Sequence, residues 1–171
     1  RPWLRPDRHR GRRMAVGPLF TLPPMQALRV HELVEPEAVL RPEEVEAPVP
    51  GPNEVAVDVA AASLNFPDVL MCRGEYQVKP PLPFTPGAEV AGTVTELGDG
   101  ADASLLGRRV IAIPKFGHGG FTERTVAPVS TVFPIPASLT DASAAAMHVT
   151  NPTDHVAPPR LAKAGVEVGG T

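Results

Sequence analysis

Few side chains in this sequence could do chemistry. Cys72 is the single cysteine, so one chain can form neither an internal disulfide nor a zinc site of several thiolates. His118 and His148 have no second histidine or acid at ligand spacing, which is typical of surface or loop histidines. Asn65 and Tyr76 carry an amide and a phenol, groups that hydrogen-bond either to a ligand or within the fold. Chemistry through hydrogen bonds is therefore favoured over metal or thiol chemistry.

Asn65 lies where a predicted strand turns into a short predicted helix. The helix runs through Met71, with Pro67 suited to its first position and Gly74 to its C-terminal cap. Asn65 fits two interpretations here, a structural cap of the helix or an amide directed at a ligand. Asp68 fits the stabilisation of a helix N-terminus better than acid–base catalysis.

Short strands dominate the chain around this corner. Residues 54–61 alternate between valines and charged or small residues, which is the period-two pattern of a strand. Further strands are predicted at Ala27 to Val30, Glu89 to Leu97, Arg109 to Ile113, Phe121 to Val126 and Thr131 to Pro134. Thr140 can cap a helix from Asp141 through Met147. We expect a mainly β, barrel-like domain with a few short helices.

Composition narrows the class of partner. The chain has 171 residues, 43% of them hydrophobic, which suits one core. A net charge of −3 gives no overall cationic field for nucleic acid or an anionic membrane, and no apolar run reaches the roughly 20 residues that span a bilayer. We expect a small-molecule ligand, no nucleic-acid or membrane partner, and a reducing, cytoplasmic setting.

Residues 1–24 form a separate segment with six arginines and one acid, Asp7. The segment lacks apolar periodicity, which predicts a disordered leader. A transit peptide or a basic nucleic-acid patch is disfavoured because serine is absent and Pro23-Pro24 would break an amphipathic helix. Met14 and Met25 are alternative start sites.

Four ordered segments carry a family resemblance. They are Ala62–Leu70 (ASLNFPDVL), Gly74–Tyr76 (GEY), Pro81–Gly92 (PLPFTPGAEVAG) and Gly107–Val110 (GRRV). Together they resemble medium-chain dehydrogenase/reductases of the quinone oxidoreductase branch, over residues 25–150. The resemblance implies a GroES-like, partly open β-barrel that holds the substrate side of a cleft, while a Rossmann domain supplies NADPH from the other side.

The resemblance also assigns roles to individual residues. Asn65 would orient the nicotinamide or the substrate through its amide, and Tyr76 would place a phenolic donor over the cleft. Thr150 would contact the cofactor through its hydroxyl. From the residues alone, Tyr76 fits a core aromatic equally well. Glu89 resembles a retained glutamate of zinc-dependent relatives, and a structural hydrogen-bonding role is favoured for it over catalysis.

Zinc ligands are absent at the positions where zinc-dependent relatives of this family carry them. Asn65 stands in place of a cysteine, and Ala88 in place of the histidine before Glu89. The cysteine-rich lobe that would follow Gly107–Val110 is missing as well. Without a Lewis acid, hydrogen-bond donors must polarise the substrate carbonyl, or the hydride acceptor must be an electron-poor quinone or enone. Which quinone or enone is left open.

The family pattern breaks after Thr150. Pro152, Pro158 and Pro159 interrupt the expected linker helix. Gly169-Gly170-Thr171 cannot substitute for a dinucleotide fingerprint, which needs a strand before it and a helix after it. We expect three segments: a leader (1–24), a GroES-like domain (25–150) and a degenerate remnant of the linker and Rossmann domain (151–171). The expected function is the substrate side of an NADPH-dependent quinone or enone oxidoreductase, inactive alone. A catalytically silent GroES-like interaction module is the alternative, and a homo-oligomer is possible.

Overall fold

The computed structural model describes residues 23–146, which fold into strands with a few short helices. The strands are β1 (Met25–Arg29), β2 (Arg41–Val45), β3 (Glu54–Ser63), β4 (Glu89–Leu97), β5 (Arg109–Ala112), β6 (Arg124–Pro128) and β7 (Val132–Pro134). The α-helices are α1 (Pro36–Val39), α2 (Phe66–Arg73) and α3 (Asp141–Ala145), and Ala103–Leu105 and Val129–Thr131 form 3-10 turns.

Five strands form one antiparallel sheet in the order β6-β3-β4-β5-β7. Val55 and Val57 of β3 are fully buried whereas Asp58 is exposed, as the predicted alternation requires, but Ala56 between the valines is buried as well. These valines belong to a core that the sheet builds on one face, with Val90, Val94, Val110, Ala112, Ala127 and Val132. A Cβ at Gly92 would lie 2.1 Å from the Asp58 carbonyl oxygen. Glycine is therefore required for the close approach of β4 to β3.

A smaller sheet pairs β1 with β2 in antiparallel register. Val30, just after β1, exchanges backbone hydrogen bonds with Phe84 at 2.9 and 3.2 Å. Val30, Val39, Cys72 and Phe84 form a second buried cluster. β2 and α1 were not predicted. For β2 the reason is that the charges and the proline of its sequence, RPEEV, disfavour a strand, which forms here because it pairs with β1.

The mainly β fold class is confirmed, and both sheets of the described part are open. The predicted strand at Phe121 to Val126 is displaced. Phe121 and Glu123 bond to β1 instead, through Leu28 and Gln26, and β6 begins at Arg124. α3 starts after Thr140 as predicted, and the Thr140 hydroxyl accepts from the Ser143 N–H at 3.2 Å. Within residues 23–146, every helix is too short or too polar to cross a bilayer.

Candidate functional site

The corner between β3 and α2 is built around Asn65 and Asp68. Asn65 is the N-cap of α2 and has extended backbone angles of φ −120° and ψ 156°. Its backbone N–H donates to Asp68 Oδ2 at 2.8 Å. The Asp68 N–H donates to the Asn65 carbonyl oxygen at 2.9 Å and faces the Asn65 side chain in a capping-box arrangement. Gly74 closes the helix at φ 71°, so the predicted C-terminal cap is confirmed, whereas α2 begins at Phe66, one residue before the predicted first position at Pro67.

Asp68 joins α2 to the chain that enters β4. Its side chain is 1% exposed, and its Oδ1 accepts from the Gly87 backbone N–H at 3.0 Å. Burial raises the pKa of Asp68, although hydrogen bonds from the N–H groups of Asn65, Gly87 and Ala88 oppose the rise. Asp68 therefore holds in place the two backbone segments that flank Asn65 and Ala88.

The Asn65 side chain belongs to a short hydrogen-bond chain that ends on a buried acid. Asn65 Nδ2 donates to Ser63 Oγ at 3.1 Å, and Ser63 Oγ donates to Glu89 Oε2 at 3.2 Å. Glu89 is 1% exposed and opens β4, directly opposite Ser63 in the strand register. The pairing of β3 with β4 therefore sets the direction of the Asn65 amide.

Tyr76 lines an apolar cavity of about 430 Å³ beside α2. The wall is formed by Pro67, Met71, Tyr76, Pro80, Gly119 and residues 84–88 and 113–117. Tyr76 is half-buried, and its backbone N–H donates to the Leu70 carbonyl at 3.2 Å, which extends the end of α2. Tyr76, which carries a phenol, and Ala88, which carries a methyl group, both line this cavity.

The loop after β5 closes one side of this cavity, and an ion pair fixes it. Lys115 Nζ lies 2.7 Å from Glu54 Oε1, and the Lys115 backbone N–H donates to the Val126 carbonyl at 2.8 Å. The hydrogen bond from Lys115 holds the pKa of Glu54 below its usual value, and the Gly51 N–H adds to this effect. Phe116, the next residue, is 52% exposed at the cavity rim.

A second, larger cavity of about 640 Å³ includes part of the same loop in its lining. Thr85, Phe116 and Gly117 line both cavities. Arg29 enters the second one and donates to the Pro83 carbonyl at 3.0 Å. His118 lines it as well, and desolvation, followed by the charge of Lys115, lowers the pKa of His118.

The structure brings some of the predicted site residues together and not others. Tyr76 and Ala88 share the 430 Å³ cavity, whereas Asn65 is outside its lining, two residues before the lining residue Pro67. Thr150 and His148 lie outside the described residues. Among residues 23–146, no three His, Cys, Asp or Glu side chains come close enough to hold a metal ion.

Sequence reasoning missed the contribution of Lys115, and it left Glu89 outside the site. Lys115 is far from Tyr76 in the sequence, and no local spacing relates the two. Glu89 offered one signal, since it comes directly before the apolar residues Val90 and Ala91, and an acid that is buried with such residues needs hydrogen-bond partners. Its hydrogen-bonding role was anticipated, but its link to Asn65 through Ser63 was not.

Comparisons with known proteins agree with this architecture. The alcohol dehydrogenase GroES-like domain family matches residues 51–137. Quinone oxidoreductase-like protein 2 of Mus musculus is 44% identical over 105 residues, which cover 61% of this chain and 29% of the relative. The crystal structure of a putative NADPH:quinone reductase from Mesorhizobium loti superposes with a TM-score of 0.72 at 27% identity, over 84% of this chain and 45% of that one.

A mycobacterial protein solved in complex with NADPH is also similar, with a TM-score of 0.63 and 31% identity over 73% of this chain and 36% of that one. The chain thus spans less than half the length of each of these three proteins.

Proposed function

Because the chain belongs to the alcohol dehydrogenase GroES-like domain family, with relatives that are quinone oxidoreductases, we propose that it forms the substrate side of an NADPH-dependent quinone or enone oxidoreductase. The reaction is hydride transfer to the ring or double bond of the substrate, followed by protonation. The apolar cavity that contains Tyr76 is the observation that carries this proposal.

The cavity suits a flat, largely apolar substrate. Its wall consists mostly of prolines, glycines, aromatic rings and aliphatic groups, and Tyr76 supplies a hydroxyl. A quinone or enone is apolar except at its carbonyl oxygens, which gain negative charge as hydride arrives. A phenolic O–H at hydrogen-bonding distance from such an oxygen would stabilise that charge. Tyr76 is therefore the proposed donor for the substrate carbonyl.

Zinc-independent transfer follows from the side chains at two positions. Asn65 and Ala88 offer an amide and a methyl group, neither of which is a zinc ligand of the kind that a catalytic site requires. The Ala88 methyl leaves room in the cavity wall where an imidazole would otherwise stand. Hydrogen bonds, rather than a Lewis acid, then polarise the substrate.

NADPH would supply the hydride. Residues 23–146 would contact only the nicotinamide end of this cofactor. The strand pairings of this part are antiparallel, whereas a dinucleotide-binding unit needs parallel strands joined by a glycine turn and a helix. Asn65 is the proposed contact with the nicotinamide, and Thr150 stays a predicted second contact. We expect the 171-residue chain alone to show little or no NADPH-dependent quinone reduction.

Exposed apolar side chains beside Asn65 support the proposal that another protein surface packs against this side of the domain. Leu64 is 70% exposed and Phe66 is 69% exposed. In the proposed oxidoreductase, a nucleotide-binding domain would cover this surface. In the alternative, a catalytically silent interaction module, a separate partner would cover it. Light scattering distinguishes the two, since the silent module predicts a concentration-dependent assembly that the Phe66→Ser variant abolishes.

Titration with 1,4-naphthoquinone, followed by NMR of the ¹⁵N-labelled chain, tests the proposed substrate site. The backbone N–H signals of Gly87, Ala88 and Ile113 should shift together, whereas that of Ser104, in the 3-10 turn Ala103–Leu105 outside the lining of both cavities, should not. Shifts confined to the second cavity, around Arg29, would contradict the proposal. A cytoplasmic location remains a prediction from the single cysteine, and cell fractionation tests it.

A further inference from the structure

The direction of the Asn65 amide follows from counting protons along the chain Asn65–Ser63–Glu89. A serine hydroxyl has one proton to donate. Ser63 donates that proton to Glu89 Oε2 at 3.2 Å. Ser63 Oγ therefore meets Asn65 as an acceptor, and the Asn65 atom that faces it must be the nitrogen.

The start of α2 favours the same orientation of the amide. The Asp68 backbone N–H lies beside the Asn65 side chain in a capping-box arrangement, although its hydrogen bond goes to the Asn65 backbone carbonyl at 2.9 Å and not to the side chain. If the amide were inverted, two N–H donors would face each other at the helix start, and two acceptors would face each other at Ser63. Both contacts are unfavourable, so the amide has one stable orientation.

One N–H of the amide is left for a ligand. Asn65 Nδ2 carries two protons, and one of them goes to Ser63. Asn65 is partly exposed, so the second proton can be hydrated when no ligand is bound. An amide held rigidly by its neighbours can donate this proton without losing side-chain freedom on binding.

We propose that Ser63 and Glu89 are positioning residues that fix Asn65 as a hydrogen-bond donor to a carbonyl oxygen of the bound ligand. This inference rests on the proposed function for the identity of the ligand, although the hydrogen-bond chain itself does not. The carbonyl belongs either to the quinone or enone substrate or to the carboxamide of nicotinamide. Where the carbonyl is that of the substrate, Asn65 adds a second donor to the one that Tyr76 provides.

The exchange of the two Asn65 amide protons with water tests the hydrogen-bond chain. A net hydrogen bond of about 1 kcal/mol slows exchange about fivefold, so in the unaltered chain the two proton rates should differ by about that factor. Ser63→Ala removes the acceptor, and Glu89→Met removes the group that orients it. Either change should make the two rates nearly equal. The Asn65→Asp variant lacks the side-chain amide, so the amide signal that disappears in it is that of Asn65.

Thr95→Val is the matched control, because the Thr95 hydroxyl also donates to a carboxylate of the same sheet, at 3.0 Å from Asp58 Oδ1. It should leave both Asn65 rates unchanged. Exchange of the backbone N–H protons of β3 and β4 shows whether the Glu89→Met variant is folded. If it is not, the Ser63→Ala variant alone decides whether the positioning role holds. Unequal rates that persist in folded Ser63→Ala or Glu89→Met would overturn the positioning role.

Ligand titrations test the donor role and identify its target. A downfield shift of the free Asn65 amide proton with 1,4-naphthoquinone assigns the carbonyl to the substrate, and the same shift with nicotinamide assigns it to the cofactor. Shifts at Ala88 without any at the Asn65 amide would overturn the donor role. If neither compound shifts any signal, the proposed function is contradicted, and the exchange rates still decide the hydrogen-bond chain.

Discussion

Replacing Asp68 with alanine would remove the side chain that joins α2 to the chain entering β4. Its carboxylate accepts from the Asn65 N–H at 2.8 Å and from the Gly87 N–H at 3.0 Å. The side chain is 1% exposed, so water does not easily replace it as the acceptor. Asp68→Ala therefore leaves the N–H groups of Asn65 and Gly87 without this acceptor in a buried place, and it also removes the weaker hydrogen bond from the Ala88 N–H.

The size of the effect follows from these two donors. A buried N–H that loses its acceptor costs about 1–3 kcal/mol, so two of them set a range of about 2–6 kcal/mol. Burial of the carboxylate, which raises the pKa of Asp68, is relieved at the same time and offsets part of the loss. We expect a net loss of about 2–4 kcal/mol in the free energy of unfolding, a large part of the roughly 5–15 kcal/mol of a typical domain.

Urea unfolding followed by circular dichroism measures this loss. Asp68→Asn keeps one acceptor oxygen and should lose about half as much. Asp102→Ala is the control, because Asp102 caps an exposed 3-10 turn through the Ser104 N–H. It should have a smaller effect than either change at Asp68. A loss for Asp68→Ala that is no larger than the loss for Asp102→Ala would refute the argument that the carboxylate joins the two segments.

Three further changes test other parts of the structure. Glu54→Gln removes the charge that pairs with Lys115. The variant should lose up to about 1 kcal/mol of the free energy of unfolding. Because the pKa of Glu54 is lowered in the folded state, this loss should be complete above pH 4.5, the ordinary pKa of a glutamate, and should shrink as the pH falls through the lowered pKa. Unfolding by urea across this range measures it, and a difference that grows in acid contradicts the assignment. Tyr76→Phe should weaken 1,4-naphthoquinone binding about fivefold through one lost hydrogen bond without changing stability, as NMR titration would show, and unchanged affinity would remove Tyr76 as the donor. Gly92→Ala should destabilise the domain by about 1–3 kcal/mol, because its Cβ meets the Asp58 carbonyl, and an unchanged thermal midpoint would contradict that contact.

Local sequence signals predicted the elements that local chemistry determines. β4 occupies the predicted range from Glu89 to Leu97, and α3 begins after the predicted cap at Thr140. In each case the signal lies within the element, as an apolar run or as a capping residue. β2 was missed because its pairing with β1 outweighs a sequence that disfavours a strand.

The site was predictable only where a motif marked it. Tyr76 and Ala88 were identified by resemblance, and they line one cavity. Lys115 and Glu54 are 61 positions apart, and only the pairing of β3 with β6 brings the loop of Lys115 to Glu54. Contacts of this kind depend on strand order, which composition and spacing do not reveal.

The two interpretations of Asn65 turn out to be compatible. As a cap, Asn65 contributes its backbone, since its N–H and carbonyl both bond to Asp68. Its side-chain nitrogen is directed to Ser63 instead. The residue can therefore terminate β3, start α2 and still have a donor for a ligand. An aspartate in this place would cap the helix equally well, but it has no proton to give to Ser63 and would face the Glu89 carboxylate across one hydroxyl. The need for asparagine at this corner thus comes from the neighbouring acid rather than from the helix.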